Sequence, residues 1–371
     1  MGEIRNAELM TVGPDELVVF AASEPGVSLT TRVGDRERHT TGPHHVIHFD
    51  GLEPDTEYPL VVEGAEPAEY LPQRVRTLAR PSGALLATFA TTNDVHFGET
   101  VCGAIGGGHE EVGPILTAAP GDRPYPEVMS RAAIEEINRL DPDAVLVKGD
   151  LTDQGTEIEY RWFLDAYSTL GPRMRHMRGN HDAMRTTSIA SGETPFAIEL
   201  PGVTLAVLDT VVPGADSGQL DAGQLAWLDD LARGAANPVL VFGHHHPWEP
   251  GSEDRNDDYF GIHPDGSEGL VAVIARNESI AGYFAGHTHR NRVRHFDAAR
   301  GVPIVEVSAA KDYPGAWAEY RVYEGGYTQM VRRIAAPEAL DWTDRTREMF
   351  LGLYRDYALG ALADRCFTWT F

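Results

Sequence analysis

The sequence predicts an α/β fold preceded by a smaller all-β segment. Two observations predict the α/β part. Short runs typical of buried strands, such as the continuously apolar residues 144–147, alternate with amphipathic stretches typical of helices, and five of the predicted strands lead into short polar motifs. A third observation concerns the first 80 residues, where runs rich in β-branched and aromatic residues are separated by turn residues. We therefore expect three parts: 1–80, 84–335 and a C-terminal tail, 336–371.

The N-terminal part is predicted to be a β-sandwich joined to the rest by a linker at 81–83. Its strand candidates are residues 17–21, 26–31 and 46–49. The stretch 52–58, which ends in Tyr58, resembles the tyrosine-corner segment of fibronectin type III domains. That resemblance implies a fibronectin III-like sandwich in which Tyr58 is structural.

The second part alternates strands with three amphipathic helices, and a helical tail follows it. The apolar residues fall on one face in the stretches 127–140, 155–170 and 221–233. In the tail, residues 349–361 have helical spacing, and the apolar, aromatic end 366–371 is unlike a free terminus. We expect this end to dock either on its own domain or across a subunit interface.

Polar residues follow five of the predicted strands. The most telling is Asp150, because a carboxylate directly after the buried run 144–147 is costly unless it is paired or binds a metal. The motifs are Asp94-Val95-His96, Gly149-Asp150, Gly179-Asn180-His181-Asp182, His244-His245-His246-Pro247 and Gly286-His287-Thr288-His289. In open α/β sheets, ligands bind at the edge formed by the carboxyl ends of the strands, which is where these motifs are expected to lie. Oxygen and imidazole donors without cysteine predict a site for hard to borderline divalent or trivalent metal ions.

These ordered motifs resemble those of the calcineurin-like metallophosphoesterase superfamily, whose pattern is D-x-H, GD, GNH[DE], H-x-P and GHxH. The resemblance covers residues 84–335, and the run 149–153 with the segment 218–228 looks like the class III cyclic nucleotide phosphodiesterase branch. It implies an α/β/β/α sandwich of two sheets with a dinuclear metal centre. Iron, manganese and zinc all suit such ligands.

Carried over residue by residue, the resemblance implies a role for each motif. Asp94, His96 and His289 would hold one ion, and Asn180, His245 and His287 the other, with Asp150 bridging them. His244 and His246 are the fallback ligands within their run. The implied reaction is in-line attack of metal-bound hydroxide on phosphorus. His181 would contact the phosphate and protonate the leaving alkoxide, and Asp182 would orient His181.

Three functions are compatible with these motifs. The favoured one is a phosphodiesterase acting on a small diester such as a cyclic nucleotide. A phosphomonoesterase or nucleotide pyrophosphatase would use the same site. A metal-bound scaffold that has lost catalysis is disfavoured by the complete ligand set and by His181. We expect the loops 97–125 and 249–269 to shape the substrate cleft, with His109 and His263 as candidate contacts.

The net charge and the composition restrict the classes of binding partner that the protein can have. A formal net charge of −25 and a pI near 4.9 disfavour nucleic-acid polymers and anionic membranes. The partner that the resemblance implies is a small phosphoester substrate. Two cysteines predict reduced thiols, and neither a signal peptide nor an apolar run of about 18 residues is visible. We expect a cytoplasmic protein, with a homodimer through the tail or the N-terminal domain as one option.

Overall fold

The computed structural model describes residues 3–104, 112–185, 189–191, 194–252, 255–256 and 259–371. Residues 4–76 contribute only strands to it, in two antiparallel sheets. The strands are β1 (Ile4–Val12), β2 (Glu16–Ser23), β3 (Ser28–Val33), β4 (Arg36–Thr41), β5 (His44–Asp50), β6 (Glu57–Val62) and β7 (Arg74–Arg76). The sheet orders are β1-β2-β5 and β4-β3-β6-β7. Both sheets bury their alternating apolar residues, among them Val19, Val33 and Phe49, in one core.

Two six-stranded sheets form the larger part of the molecule. The remaining strands are β8 (Leu85–Thr92), β9 (Val101–Cys102), β10 (Leu116–Thr117), β11 (Ala144–Lys148), β12 (Met174–Met177), β13 (Phe196–Leu200), β14 (Val203–Val207), β15 (Val239–Phe242), β16 (Ile280–Ala285), β17 (Arg292–His295), β18 (Pro303–Glu306), β19 (Ala316–Tyr323), β20 (Gly326–Arg333) and β21 (Cys366–Thr370). The first sheet has the order β12-β11-β8-β19-β20-β21, and the second β13-β14-β15-β16-β18-β17. The short strands β9 and β10 pair only with each other.

The two large sheets pack face to face. Rings from the first sheet contact rings from the second: the centroid of Phe89 lies 6.1 Å from that of Phe242, and the centroid of Tyr320 lies 5.4 Å from that of Phe284. Edge-on ring pairs of this kind add to the apolar area that the core buries. The predicted two-sheet α/β architecture is therefore confirmed.

Helices cover the outer faces of both sheets. They are α1 (Tyr125–Leu140), α2 (Glu157–Tyr167), α3 (Ala222–Gly234), α4 (Pro264–Arg276), α5 (Pro337–Thr346), α6 (Tyr354–Leu359) and α7 (Leu362–Arg365). The predicted helices at 127–140, 155–170 and 221–233 correspond to the first three. None of the helices in the part of the chain that the structure describes combines the length and apolar character that a bilayer crossing needs.

The prediction of a loop over residues 249–269 was wrong for its last six residues, because α4 begins at Pro264. Proline at the first position of a helix lacks an N–H that would be unpaired there anyway. Leu270 and Ile274 of α4 are fully buried and pack in the core of the second sheet. The start of α4 was assigned to a loop because its first turn is polar and its apolar residues come only later in the helix.

The prediction of a helical tail holds only to residue 365. The last strand, β21, pairs antiparallel with β20 and becomes the edge of the first sheet. Cys366 is buried and Trp369 packs against the core, so this strand has an apolar side to cover. The end of the chain thus docks on its own sheet.

A buried ion network links the N-terminal strands to the first large sheet. Both carboxylate oxygens of Glu16, on β2, accept hydrogen bonds from Arg332 at 2.6 and 2.7 Å, and one also accepts from Arg321 at 2.6 Å. Burial alone would raise the pKa of Glu16, but these two guanidinium groups lower it from 4.5 to about 2. A paired carboxylate of this kind favours the folded state whenever it is ionised.

We predict that Glu16→Gln lowers the free energy of unfolding by about 3 kcal/mol at neutral pH, because Arg321 and Arg332 lose one of the two carboxylates that they share and keep the other, Glu319. Because the folded-state pKa of Glu16 is depressed, its contribution is present above pH 4.5 and is lost as pH falls towards about 2. Urea unfolding at pH 7 and pH 3 measures both effects. Glu37→Gln, which breaks only exposed pairs with Arg32 and His39, is the control; equal losses in the two variants would contradict the prediction.

Candidate metal centre

The carboxyl ends of parallel strands from both sheets meet at one edge of the sandwich. Three hydrogen bonds join the two sheets there. The buried Lys148 Nζ donates to the carbonyl of Ala285 (2.6 Å), His244 Nδ1 to the carbonyl of Lys148 (2.8 Å), and the His287 N–H to Asp94 Oδ1 (3.1 Å). All five predicted polar motifs therefore lie side by side, as strand ends at a common edge require.

The backbone at this edge is held in an unfavourable conformation. Five residues other than glycine have left-handed φ angles, between 46° and 69°: Asp94, His96, Asp150, His287 and His289. Each such residue costs about 1 kcal/mol or more and persists only where its surroundings hold it. Gly149, at φ 88°, admits no side chain, because a Cβ there would lie 2.5 Å from His244 Nδ1. Strain of this kind clusters at functional sites.

A first group of donors consists of Asp94, His96 and His289, whose ligand atoms lie within 4.8 Å of one another. His289 Nε2 lies 3.5 Å from Asp94 Oδ1, and His289 Nδ1 lies 3.0 Å from Asp312 Oδ2. Burial lowers the pKa of His289, but Asp312 and Asp94 together raise it to about 10. These carboxylates therefore favour a positive charge at this position.

A second group of donors surrounds Asn180. Its Oδ1 lies 3.1 Å from His244 Nε2 and 3.0 Å from His287 Nδ1. His245 Nδ1 bonds instead to the Thr210 hydroxyl at 2.8 Å, while its Nε2 stays within 4.8 Å of ligand atoms of His244 and His287. His246 belongs to neither group in the part of the chain described.

Asp150 lies between the two groups. Its Oδ2 is 3.5 Å from His96 Nε2 on one side and 3.3 Å from His244 Nε2 on the other. Burial opposes its ionisation, but His244 and His181 hold its pKa well below the usual range. Conversely, burial lowers the pKa of His244 while Asp150 raises it to about 9. Asp150 thus favours a cation on either side of it.

The donor atoms fit two metal ions. Among the described residues, buried ring nitrogens of His96, His245 and His287 have no hydrogen-bond partner, and such atoms are rare in proteins unless something else binds them. Burial lowers the pKa of His245 and His287, so both imidazoles are in the neutral form that metals bind. The structure brings together the seven residues predicted to bind metal. Of the two fallback ligands it also brings in His244, whose Nε2 lies 3.3 Å from Asp150 Oδ2 and 3.1 Å from Asn180 Oδ1.

His181 lies beside this edge, as the motifs suggested, but Asp182 does not orient it. The Asp182 carboxylate accepts hydrogen bonds from the N–H groups of Leu151, Thr152 and Gly179 at 2.8–3.1 Å. The expected orienting role of Asp182 was therefore wrong: its carboxylate fixes the backbone around Asp150. His181 Nδ1 donates to the carbonyl of Asp153 at 2.7 Å, which leaves its other nitrogen free for the cleft.

Two features of the cleft could not be predicted from the sequence. The first is the hydrogen bond between His289 Nδ1 and Asp312 Oδ2. Asp312 was missed because it is not part of a glycine-histidine motif. The tail also lines the cleft, a cavity of about 680 Å³. Of the expected loop contacts, His263 bonds to Ser217 Oγ at 2.8 Å and does not line this cavity, and His109 lies outside the described residues.

Comparisons with known proteins agree with this geometry. Residues 87–291, more than half of the chain, match the family described as Calcineurin-like phosphoesterase. A probable cyclic nucleotide phosphodiesterase of Synechococcus sp. is 30% identical over 163 residues, 43% of this chain and 62% of that protein. A probable glycerophosphodiester phosphodiesterase of Arcobacter nitrofigilis is 30% identical over 42% of this chain and 61% of the relative. A cAMP/cGMP dual specificity phosphodiesterase of Mycobacterium tuberculosis is 28% identical over 47% and 57%. The aligned part spans about three fifths of these relatives.

We predict that the purified protein binds about two transition-metal ions per chain and that His244→Ala reduces this to about one. The physical reason is that His244 Nε2 faces both Asp150 and Asn180. Elemental analysis after dialysis against manganese measures the stoichiometry. His246→Ala, in the same run but outside both groups, is the matched control. Retention of both ions in His244→Ala would leave His245 as the ligand and contradict this placement.

Proposed function

Because the chain belongs to the calcineurin-like phosphoesterase family, we propose that it is a metal-dependent phosphodiesterase acting on small diesters of the cyclic-nucleotide type. The observation that carries this proposal is the pair of buried donor groups on either side of Asp150, with His181 next to them. The relatives named above act on cyclic nucleotides or glycerophosphodiesters, according to their names, and both kinds of substrate are diesters.

The residues assigned to the metals follow the geometry. Asp94, His96 and His289 would hold one ion. Asn180, His287 and His244 would hold the other, with His245 as a further donor on that side, and Asp150, which lies between the two groups, would face both ions. Ions such as iron, manganese or zinc would supply the activation of a water molecule and neutralisation of the phosphoryl oxygens. The carboxylates and neutral imidazoles of the chain keep the site oriented for this chemistry.

His181 is assigned the proton transfer. Its backbone N–H donates to Asp150 Oδ1 at 2.9 Å, and its Nδ1 donates to the Asp153 carbonyl, so the ring has a fixed orientation. Burial lowers its pKa, but Asp150 and Asp153 raise it above the ordinary value. A proton held on Nε2 can then bond to the phosphate and pass to the leaving alkoxide. Asp182 contributes by fixing the loop that carries Asp150.

The N-terminal strands and the cellular location belong to the same proposal. We assign a fibronectin III-like sandwich to residues 1–80, supported by Tyr58, whose hydroxyl accepts a hydrogen bond from the Glu53 N–H at 3.0 Å. Both cysteines, Cys102 and Cys366, are free and buried, which fits a reducing compartment such as the cytoplasm.

The preferred substrate class can be tested with chromogenic esters. With manganese present, we predict faster turnover of bis-p-nitrophenyl phosphate than of p-nitrophenyl phosphate. Asn180→Ala should lower diester turnover about 100-fold, since Asn180 contacts donors on both neighbouring strand ends. Asn138→Ala, on the distant helix α1, is the matched control. A preference for the monoester would favour the alternative, a phosphomonoesterase or nucleotide pyrophosphatase.

The role of His181 predicts a dependence on the leaving group. His181→Ala should slow a diester with an alkyl leaving group about 10²- to 10⁴-fold, because alkoxides need a proton to depart. It should slow p-nitrophenyl esters far less, since nitrophenolate departs without one. Turnover numbers for both kinds of ester in wild type and variant give the comparison, and equal losses for both would rule out proton donation by His181.

A further inference from the structure

The cleft has two chemically different sides. Metal-binding and proton-transferring residues lie on one side, among them Asp150, Asn180 and His181. The same cavity is also lined by a set of large apolar and aromatic side chains, which we call the apolar wall: Phe260, Met349, Phe350, Leu353, Tyr354 and Tyr357. The ring of Phe260 begins this wall next to the metal side, with its centroid 4.1 Å from that of His287. Five of these six come from the tail, beyond the residues 87–291 that match the family.

Three members of the apolar wall are exposed to solvent. Leu353 is 66% exposed, Phe260 53% and Tyr357 44%. A single exposed apolar residue needs no explanation, but several grouped around a polar centre mark a binding surface. The rings of Phe260, Phe350 and Tyr357 add a preference for flat partners, since aromatic groups attract one another edge-on or offset.

The apolar wall is attached to the catalytic side by hydrogen bonds. The Tyr354 hydroxyl donates to Asp312 Oδ1 at 2.7 Å, and the other Asp312 oxygen lies 3.0 Å from His289. The Tyr357 hydroxyl donates to the carbonyl of Thr288 at 2.8 Å. Tyr357 thus binds the segment that carries His289 directly, and Tyr354 is linked to His289 through Asp312, so the distance between wall and metal centre is set by the fold.

Hydrogen bonds and an ion pair attach the tail to the N-terminal strand β1. The fully buried Arg365 donates to the carbonyls of Leu9 at 2.8 Å and Met10 at 3.2 Å. Arg347 pairs with the buried Glu8 at 3.3 Å. The apolar wall is therefore preformed, and a ligand that packs against it pays little ordering entropy.

We propose that the apolar wall selects phosphodiesters in which one ester arm carries a planar aromatic ring. This inference rests on the proposed phosphodiesterase function. With the phosphate at the metal centre, one ester arm of the substrate extends across the cleft to Leu353, Phe260 and Tyr357. Burial of a ring there strengthens binding in proportion to the apolar area removed from water. Small alkyl diesters do not reach the wall, so it contributes nothing to their binding free energy.

The test compares three diesters that share a methyl ester and differ in the other arm: dimethyl, methyl benzyl and methyl cyclohexylmethyl phosphate. None carries a second aromatic group. In the manganese-loaded wild type, we expect kcat/KM for the benzyl ester to exceed that for dimethyl phosphate about tenfold or more. The cyclohexylmethyl ester, similar in size but not planar, should fall between them.

Leu353→Asn and Phe260→Asn should each raise KM for the benzyl ester and lower the benzyl-to-dimethyl ratio of kcat/KM several-fold. Leu351→Asn is the matched control, because Leu351 is 72% exposed in the same segment but does not line the cavity. Its ratio should equal that of wild type. Since all three side chains are largely exposed, folding is unaffected, and unchanged melting temperatures confirm this.

Turnover of 3′,5′-cyclic AMP by the same variants distinguishes the two sources of such a ring. A parallel loss of kcat/KM identifies a nucleobase, whereas unchanged cyclic AMP turnover identifies an aryl alcohol ester. A wild-type ratio near one, or equal ratios in Leu353→Asn and Leu351→Asn, would overturn the inference while leaving the phosphodiesterase intact. No turnover of any diester by wild type would instead overturn the proposed function.

Discussion

The burial of the Asp150 carboxylate at the junction of two sheets is the constraint on which the rest of the site depends. An isolated buried anion is expensive, and this one is offset by the histidines on both sides and by the His181 N–H at 2.9 Å. The left-handed backbone at Asp150, at φ 50°, is held by the Asp182 carboxylate through the N–H groups of Leu151 and Thr152. Two bound cations would further offset the negative charge of the buried Asp150 carboxylate.

The outer parts of the molecule serve this centre indirectly. Glu16 connects the N-terminal strands to the first large sheet, and Arg365 connects them to the tail. The tail in turn binds Asp312 through Tyr354, and Asp312 holds His289. This chain of contacts gives the N-terminal strands a physical role in shaping the cleft that requires no separate binding partner.

Much of this site could be predicted from the sequence because strand ends in an α/β sheet are conspicuous. Each apolar run identified a strand, and the polar residues after it had to lie at a common edge. The ring that faces Asp150 within the run 244–246 could not be chosen this way, since successive residues after a strand point in different directions. The role of Asp182 and the wall formed by residues 349–357 depend on tertiary placement, which local pattern does not encode. Strand β21 was missed because an apolar, aromatic end suits a docked tail as well as an edge strand.

The most direct test of the account is a crystal structure of the manganese-loaded protein with anomalous scattering data. We predict two anomalous peaks, one beside Asp94, His96 and His289 and one beside Asn180 and His287, with Asp150 between them. A single peak, or peaks remote from Asp150, would contradict the dinuclear centre on which the proposed chemistry is built.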